Sequence, residues 1–330
     1  MKLTVDCALT HQLSSLQSTS ALARLLSAAV VVTQSDIPLE VLACQQYGLE
    51  AKPDFPIAAI SAAADGLDIA SVFWLRADPV YLAMQRDCFS LGEPTPLPVE
   101  ATQARVLVDH LNQHFSQDGL IFHIGKSGAW YIQSQHTPEI KTTLPCIAAG
   151  KNIHPFLPQG ADAGKWRATL NEVQMLLHDH PVNLARESAG ELAINSVWFS
   201  GGGVLPDTFQ QAKTQMQAEN SLMIADEIFY QGLAKWAGIP LQPIPNNLDT
   251  LLLKYKQHRH VRLQLPEVAD LDDTWFNALS LALKHNDISM LTLNLGFYET
   301  SINAEIKPSD VYFYRYKFWR KPKSVMQYLS

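Results

Sequence analysis

Leu176-Leu177-His178-Asp179-His180-Pro181-Val182-Asn183-Leu184-Ala185-Arg186, continued by Gly190, Ile194-Asn195 and Gly201-Gly202-Gly203, is the stretch on which the reading of the fold turns. It reads as a helix end, a tight polar corner, a buried strand and a glycine-rich turn. The helix has Asp162 as candidate N-cap, and Trp166, Leu170, Val173 and Leu177 fall at i, i+4, i+7 and i+11 on one face. It must stop near His180, because the residue before a proline avoids the α region. Ile194–Phe199 reads as a buried strand. Glycines after a strand let backbone N–H groups approach an anion closely. Arg186 offers a planar fork suited to carboxylate or phosphate, and Asn183 and Asn195 can orient a ligand. The same side chains would serve equally to tie loops together, with the glycines making a turn.

Working outward, Ala21–Val32 reads as helix then strand, Ile37-Pro38 as a turn and Ala51–Pro56 as a loop. Ser71–Leu75 is an apolar run ending in Arg76-Ala77-Asp78-Pro79. Gly92–Pro98, with its prolines, is a connector. Thr102–Phe115 has helical spacing, and Leu120–Gly125 and Ala129–Gln133 flank Lys126-Ser127-Gly128 as a hairpin. Pro155 and Pro158 break the chain. Beyond the corner, Leu222–Trp236 reads as helix, His260–Leu265 as strand, Leu271–Lys284 as amphipathic helix and Ser289–Leu295 as strand. Ser301–Ile306 and Val311–Trp319 read as further, antiparallel strands. Strands alternating with helices predict an α/β sheet with an antiparallel tail at one edge.

The 330 residues suffice for two domains, and 47% hydrophobic with 17% charged residues is a globular balance. A net charge of -7 disfavours nucleic acid as a partner of the whole chain. Cys7, Cys44, Cys88 and Cys146 make no C-x-x-C pair, and scattered thiols fit a reducing compartment. Met1–Leu16 does not read as a signal peptide and no apolar run reaches 18 residues, so no membrane span and a cytoplasmic location are expected.

Other clusters have a bland reading and a sharper one. His178-Asp179-His180 suggests a metal site, yet histidines at i and i+2 on a helix end point apart. Arg76-Ala77-Asp78-Pro79 with Arg86-Asp87 would bind a ligand or anchor loops through ion pairs. Asp65-Gly66 is a turn dipeptide first and an acid candidate second. Val311–Lys323 interleaves aromatics with basic residues, suiting stacked bases, a membrane surface or a Lys/Arg-guarded edge strand. No G-x-S-x-G, P-loop, G-x-G-x-x-G or H-E-x-x-H occurs.

The run His180-Pro181-Val182-Asn183, Arg186, Gly190, Asn195 and Gly201-Gly202-Gly203 resembles a stretch of archaeal-type cofactor-independent phosphoglycerate mutases, members of the alkaline phosphatase superfamily. Ile224–Trp236, with Gly232 and Gly238, fits the segment that follows in that family, and Ile153-His154-Pro155 sits where it has a DPH-like turn. Phe73–Pro79, Leu170–Leu177 and Asn195–Trp198 resemble proteobacterial regulatory proteins of the RpfE type over nearly the whole chain. The mutase resemblance implies a superfamily core sheet with helices on both faces, formed by 1–70 and 153–330, and a smaller inserted α+β module over 71–152. It also implies a two-metal site and a Ser nucleophile, from which this sequence departs. Leu3–Leu9 holds only Asp6 where an Asp-Gly-x-Gly-Asp turn belongs. Gly296-Phe297-Tyr298-Glu299 lacks the His of an Asp-x-x-Gly-His turn, and Ser200 stands where the mutases have Arg.

The expected function is therefore a non-catalytic mutase-like protein with a regulatory role and no cofactor. It would bind a small anionic, phosphorylated metabolite or a protein partner. His180, Asn183, Arg186, Asn195, Gly201, Gly202 and Gly203 are the expected ligand-binding residues, and no catalytic or metal-binding residue is assigned. Two alternatives stand beside it: a metal-dependent phosphohydrolase or phosphomutase whose relocated site includes His154, His178 or His180, and a structural protein using the aromatic-basic tail.

Overall fold

The computed structural model describes residues 1–9, 20–69, 71–206, 220–267, 271–316 and 322–329, with the side chains of 273 and 313–316 left out. The chain divides into two compact units, Met1–Ala43 with Gln210–Ser330, and Cys44–Phe209. Among the described residues no helix is long and apolar enough to cross a membrane.

The first unit is built on a seven-stranded sheet. Its strands are β1 (Lys2–Ala8), β2 (Val30–Gln34), β9 (Ser221–Ile224), β10 (Leu241–Gln242), β11 (His260–Leu265), β12 (Met290–Phe297) and β13 (Thr300–Ile306), in the order β10-β9-β11-β1-β12-β13-β2. The first five run parallel, and β13 and β2 are antiparallel at one edge. β1 lies in the middle because Leu3, Val5 and Cys7 alternate into one core, packed with Leu263, Leu293 and Leu295. Helix α1 (Ala21–Ala28) starts where Ser20 Oγ accepts from the Ala23 amide and the Asp272 carboxylate accepts from the Ala21 and Leu22 amides, both at 2.8 Å. A carboxylate there answers the free N–H groups and the positive helix end together. The remaining helices are α2 (Leu39–Gln46), which runs across the boundary between the units, α8 (Ile228–Ala237), α9 (Leu248–Tyr255), α10 (Asn277–Lys284) and α11 (Pro308–Tyr316).

The second unit carries an antiparallel sheet of β3 (Phe73–Val80), β6 (Leu120–Ile124), β7 (Trp130–Ser134) and β8 (Ser196–Gly203), in the order β6-β7-β3-β8, and a hairpin of β4 (Leu82–Met84) and β5 (Phe89–Leu91). Its helices are α3 (Ile57–Ala64), α4 (Ala101–Phe115), the single turn α5 (Pro145–Ala148), α6 (Ala163–His178) and α7 (Pro181–Ser188). The stripe read from the sequence is the buried face of α6: Trp166, Leu170, Val173 and Leu177 join Leu107, Leu111 and Phe115 of α4 over Phe73, Leu75 and Phe199. Full burial of each aliphatic side chain stabilises by about 1.5–3 kcal/mol.

The α/β class holds, with corrections to particular elements. Within Cys44–Phe209, β8 pairs along β3 and α3 packs on both strands. Leu222–Trp236 is not one helix. Its first residues pair on both sides as β9, and α8 begins only at Ile228. Val311–Trp319 is not an edge strand over its described part. Pro308 at the first helical position and Asp310, whose carboxylate accepts from the Lys307 amide at 2.8 Å, start α11 instead. The rest of the aromatic-basic tail, 317–321, lies outside the described residues.

Gly201-Gly202-Gly203 is strand, not turn. A Cβ on Gly203 would stand 2.9 Å from Pro56 Cα, and one on Gly202 would stand 2.7 Å from Phe73 Cζ. Gly201 has φ +63°, and its Cβ would meet Ile57 Cβ at 2.9 Å. Gly201 and Gly203 let the start of the alanine-rich α3 lie directly on β8, and Gly202 leaves room for Phe73 and Leu75 of β3. Gly201→Ala is expected to lower unfolding free energy by about 1–3 kcal/mol, from overpacking and a left-handed backbone. Urea denaturation of the purified variant measures it, and an unchanged midpoint would contradict the packing role.

Candidate functional site

The polar corner assembles as the sequence suggests, but it closes on itself. Asn183, buried, donates from Nδ2 to the carbonyls of Leu177 and Ile194 and accepts from the Ile194 amide, all at 2.8 Å. Arg186 is 5% exposed; its Nε donates to the Leu192 carbonyl, and its Nη groups reach Gln103 Oε1, the Pro98 carbonyl and Glu191. Asn195 exchanges a pair of bonds with the backbone of Leu82, at 2.7 and 2.9 Å. His180 caps α7, its Nδ1 accepting from the Val182 amide at 3.2 Å, and its ring stands 5.1 Å from that of His110. Desolvation, then the neighbouring His110, hold the His180 imidazole below its ordinary pKa. Gly201 donates its amide to Thr142 Oγ1, while Gly202 and Gly203 lie buried in β8. The seven residues expected to line a pocket thus engage backbone, side chains and one another's neighbours within the unit. These bonds brace the second unit from within.

Of the other candidates, Arg76, Asp78 and Asp65 resolve into bonds within the chain. His178 is 81% exposed at the end of α6 while His180 is buried, so the two point apart as their spacing requires. Arg76 and Asp78 lie within β3 and pair at 2.9 Å, with burial pushing the Asp78 carboxyl up against the opposing pull of Arg76. Asp65 accepts from the amide and hydroxyl of Ser127 and from the Tyr131 hydroxyl, at 2.6–2.8 Å, and so anchors the hairpin turn. Among the described residues no group of three His, Cys, Asp or Glu side chains is placed to hold a metal ion.

The concentration of buried charge lies in the first unit, near the carboxyl end of β1. Ligands of parallel α/β sheets bind outside those strand ends. Asp6, 1% exposed, is gripped by Arg262 of β11, with Nε to Oδ2 at 2.5 Å and Nη2 to Oδ1 at 2.7 Å. Asn294 of β12 donates to the same Oδ1 at 2.7 Å, and Asn303 of β13 donates to Asn294. The guanidinium lies 6.0 Å from the ring centroid of Tyr230, whose hydroxyl is pushed well above its ordinary pKa by burial and by the Asp6 charge. Beside Asp6 in register, Gln264 donates to Glu227 and accepts from the amides of Asp226 and Glu227 at the start of α8. In register Arg262 lies opposite Thr4, two residues below Asp6, so its side chain reaches along the sheet face to the carboxylate. The fork meets a planar anion with matched geometry. Here a buried carboxylate is answered by a cation belonging to the chain.

Asp6 stands out in the sequence as a lone acid, whereas Arg262, Gln264, Asn294 and Asn303 do not. The signal was alternation. His260-Val261-Arg262-Leu263-Gln264-Leu265 places a charge and an amide at period two in a strand buried on both faces, where such residues need partners.

No family model matches the chain. It is 24% identical over 177 residues to a 2,3-bisphosphoglycerate-independent phosphoglycerate mutase of Methanosarcina acetivorans, covering 52% of this chain and 44% of the relative. Homologous mutases of Methanothermobacter thermautotrophicus and, as a probable mutase, Geobacter sulfurreducens match at 25% over 161 and 24% over 150 residues. The chain is a distant homologue of the archaeal-type cofactor-independent phosphoglycerate mutases. It spans less than half the length of these mutases in the matched region. Among solved structures, a protein of Pyrococcus horikoshii superposes with TM-score 0.50 at 12% identity, over 93% of this chain and 87% of that one, which shows likeness of fold. The cofactor-independent phosphoglycerate mutase of Thermoplasma acidophilum superposes with TM-score 0.43 at 15% identity, over 93% and 90%.

Two outcomes are expected. Arg262→Met leaves the Asp6 charge buried and unpaired, at a cost of about 3–5 kcal/mol. The double variant Asp6→Leu with Arg262→Met should recover most of that loss in urea denaturation; a double-variant loss equal to the sum of the losses of Asp6→Leu and Arg262→Met alone would show that the pair is not coupled. The second concerns pH. The His180 pKa is lowered by folding, so its stabilising contribution is complete above the unfolded value near 6.5 and is lost as pH falls through the lower folded value. Protonation also removes the lone pair that caps α7. His180→Asn keeps a capping acceptor without titrating. Its stability should fall less than that of wild type between pH 7 and 5 in thermal denaturation, and parallel profiles would refute the assignment.

Proposed function

We propose that this chain is a non-catalytic relative of the phosphoglycerate mutases with a regulatory role, exercised by binding a small anionic metabolite or a protein partner. The observation that carries the proposal is the occupation of Asp6 by Arg262 and Asn294. Metal-assisted phosphoryl transfer needs carboxylates free to hold cations that neutralise charge on the moving group. Here both oxygens of the carboxylate at the strand end are already satisfied, and one positive charge is fixed in place. A guanidinium cannot exchange, shift its pKa into use or polarise a water as a metal does. What remains is a mutase-like scaffold able to hold a ligand. The RpfE-type resemblance of Phe73–Pro79 and Asn195–Trp198 motivates the regulatory part of the reading.

The test is an assay for interconversion of 3-phosphoglycerate and 2-phosphoglycerate with Mn2+ or Mg2+ supplied, alongside metal analysis of the purified protein. The expected result is no turnover above background and substoichiometric metal. Turnover that disappears in Asp6→Ala would overturn the proposal in favour of a working phosphotransferase.

A further inference from the structure

The second unit contains a groove of about 780 Å3 walled by the β4–β5 hairpin, residues 152–157 and one face of α6, with Ser196, Val197 and Trp198 at its base. That volume lies within the roughly 300–1,000 Å3 of small-molecule sites. Its polar groups differ in kind from those of the corner. Arg167 is held by its Nε, which donates to the Pro158 carbonyl at 3.0 Å, and its Nη groups make no bond among the described residues. Arg86, at the hairpin turn, makes no ion pair or hydrogen bond among them either, nor do the His154 ring and the amides of Asn171 and Gln174. Arg167, Asn171 and Gln174 fall at i, i+4 and i+7 on α6, so they share one face. Asp87 is the single carboxylate of the lining. In a chain of net charge -7, the groove is locally positive.

The other half of the lining is apolar. Trp198 is 4% exposed, its indole N–H tied to the Thr143 carbonyl at 2.8 Å, and Leu82, Leu157, Leu170 and Val197 stand beside it. An anchored arginine whose terminal donors remain unspent is preorganised for a planar or tetrahedral anion. An apolar base next to such donors selects a ligand with a carbon body as well as a charge.

We infer that this groove binds a small amphipathic organic anion, with Arg86 and Arg167 clasping a carboxylate or phosphate group and Trp198 with its apolar neighbours receiving the carbon body. The assignment rests on the proposed ligand-binding role and supplies its site, while affinity here is measured independently of turnover or metal content.

Isothermal titration calorimetry of the full chain with 1-naphthyl phosphate, 1-naphthol and inorganic phosphate tests it. The expected result is that 1-naphthyl phosphate binds at least tenfold tighter than either of the others. Arg86→Gln combined with Arg167→Gln, both outside the buried core, should weaken 1-naphthyl phosphate at least tenfold while leaving 1-naphthol unchanged. Gln174→Trp, which fills the groove without altering charge, should weaken both aromatic probes. Equal affinity for 1-naphthyl phosphate and 1-naphthol, or undiminished binding in the double arginine variant, would overturn the assignment. In the latter case an anion site elsewhere would keep the binding role alive while this groove fails.

Discussion

A carboxylate taken out of water must meet positive charge or hydrogen-bond donors, or it will not stay ionised. Asp6 sits on the central strand of a sheet covered on both faces, and it is met by a bidentate guanidinium from one neighbouring strand and an amide from the other. That arrangement fixes the register of three parallel strands at once, because a slip of one residue would turn Asp6, Arg262 and Asn294 to opposite faces. It also decides what the sheet end can do. Where a protein commits its own cation to a buried acid, chemistry that relies on an exchangeable cation there is displaced by architecture.

The arginines divide by what they have spent. Arg262, Arg76 and Arg186 are tied to acids or carbonyls inside their units and act as struts. Arg167 is tied at one nitrogen and presents the others, and Arg86 stands at a hairpin tip. Buried guanidinium groups are costly unless satisfied, whereas partly exposed ones keep donors in reserve. The contrast separates scaffold from candidate site more sharply than residue type does.

How much was legible follows the same line. The α6 stripe, the 120–133 hairpin and the helix-then-strand of 21–32 are readable because one periodicity and one set of turn residues govern each. The segment before α8 reads as helix because Leu222, Met223 and Ile224 suit a buried strand as well as a helix, and only their neighbours in the sheet decide. The glycine run reads as a turn because its reason lies in neighbours more than a hundred residues away: Pro56 and Ile57 at the start of α3, and Phe73 and Leu75 of β3. At the candidate site, His180, Asn183, Arg186 and Asn195 were visible as a polar cluster, but sequence does not say whether a polar cluster faces a ligand or its own backbone. Arg262 was hidden because its partner stands 256 positions earlier.

The placement of β1 between β11 and β12 has a temporal meaning. During synthesis the strand that anchors the main sheet leaves the ribosome some 250 residues or more before its two neighbours, at 260–265 and 290–297. Until then an apolar ribbon bearing an acid has no hydrogen-bonding partners of its own, while Cys44–Phe209, a contiguous segment, has everything it requires to condense. Completion of the main sheet therefore waits on strands that lie far along the chain, whatever the second unit does in the meantime.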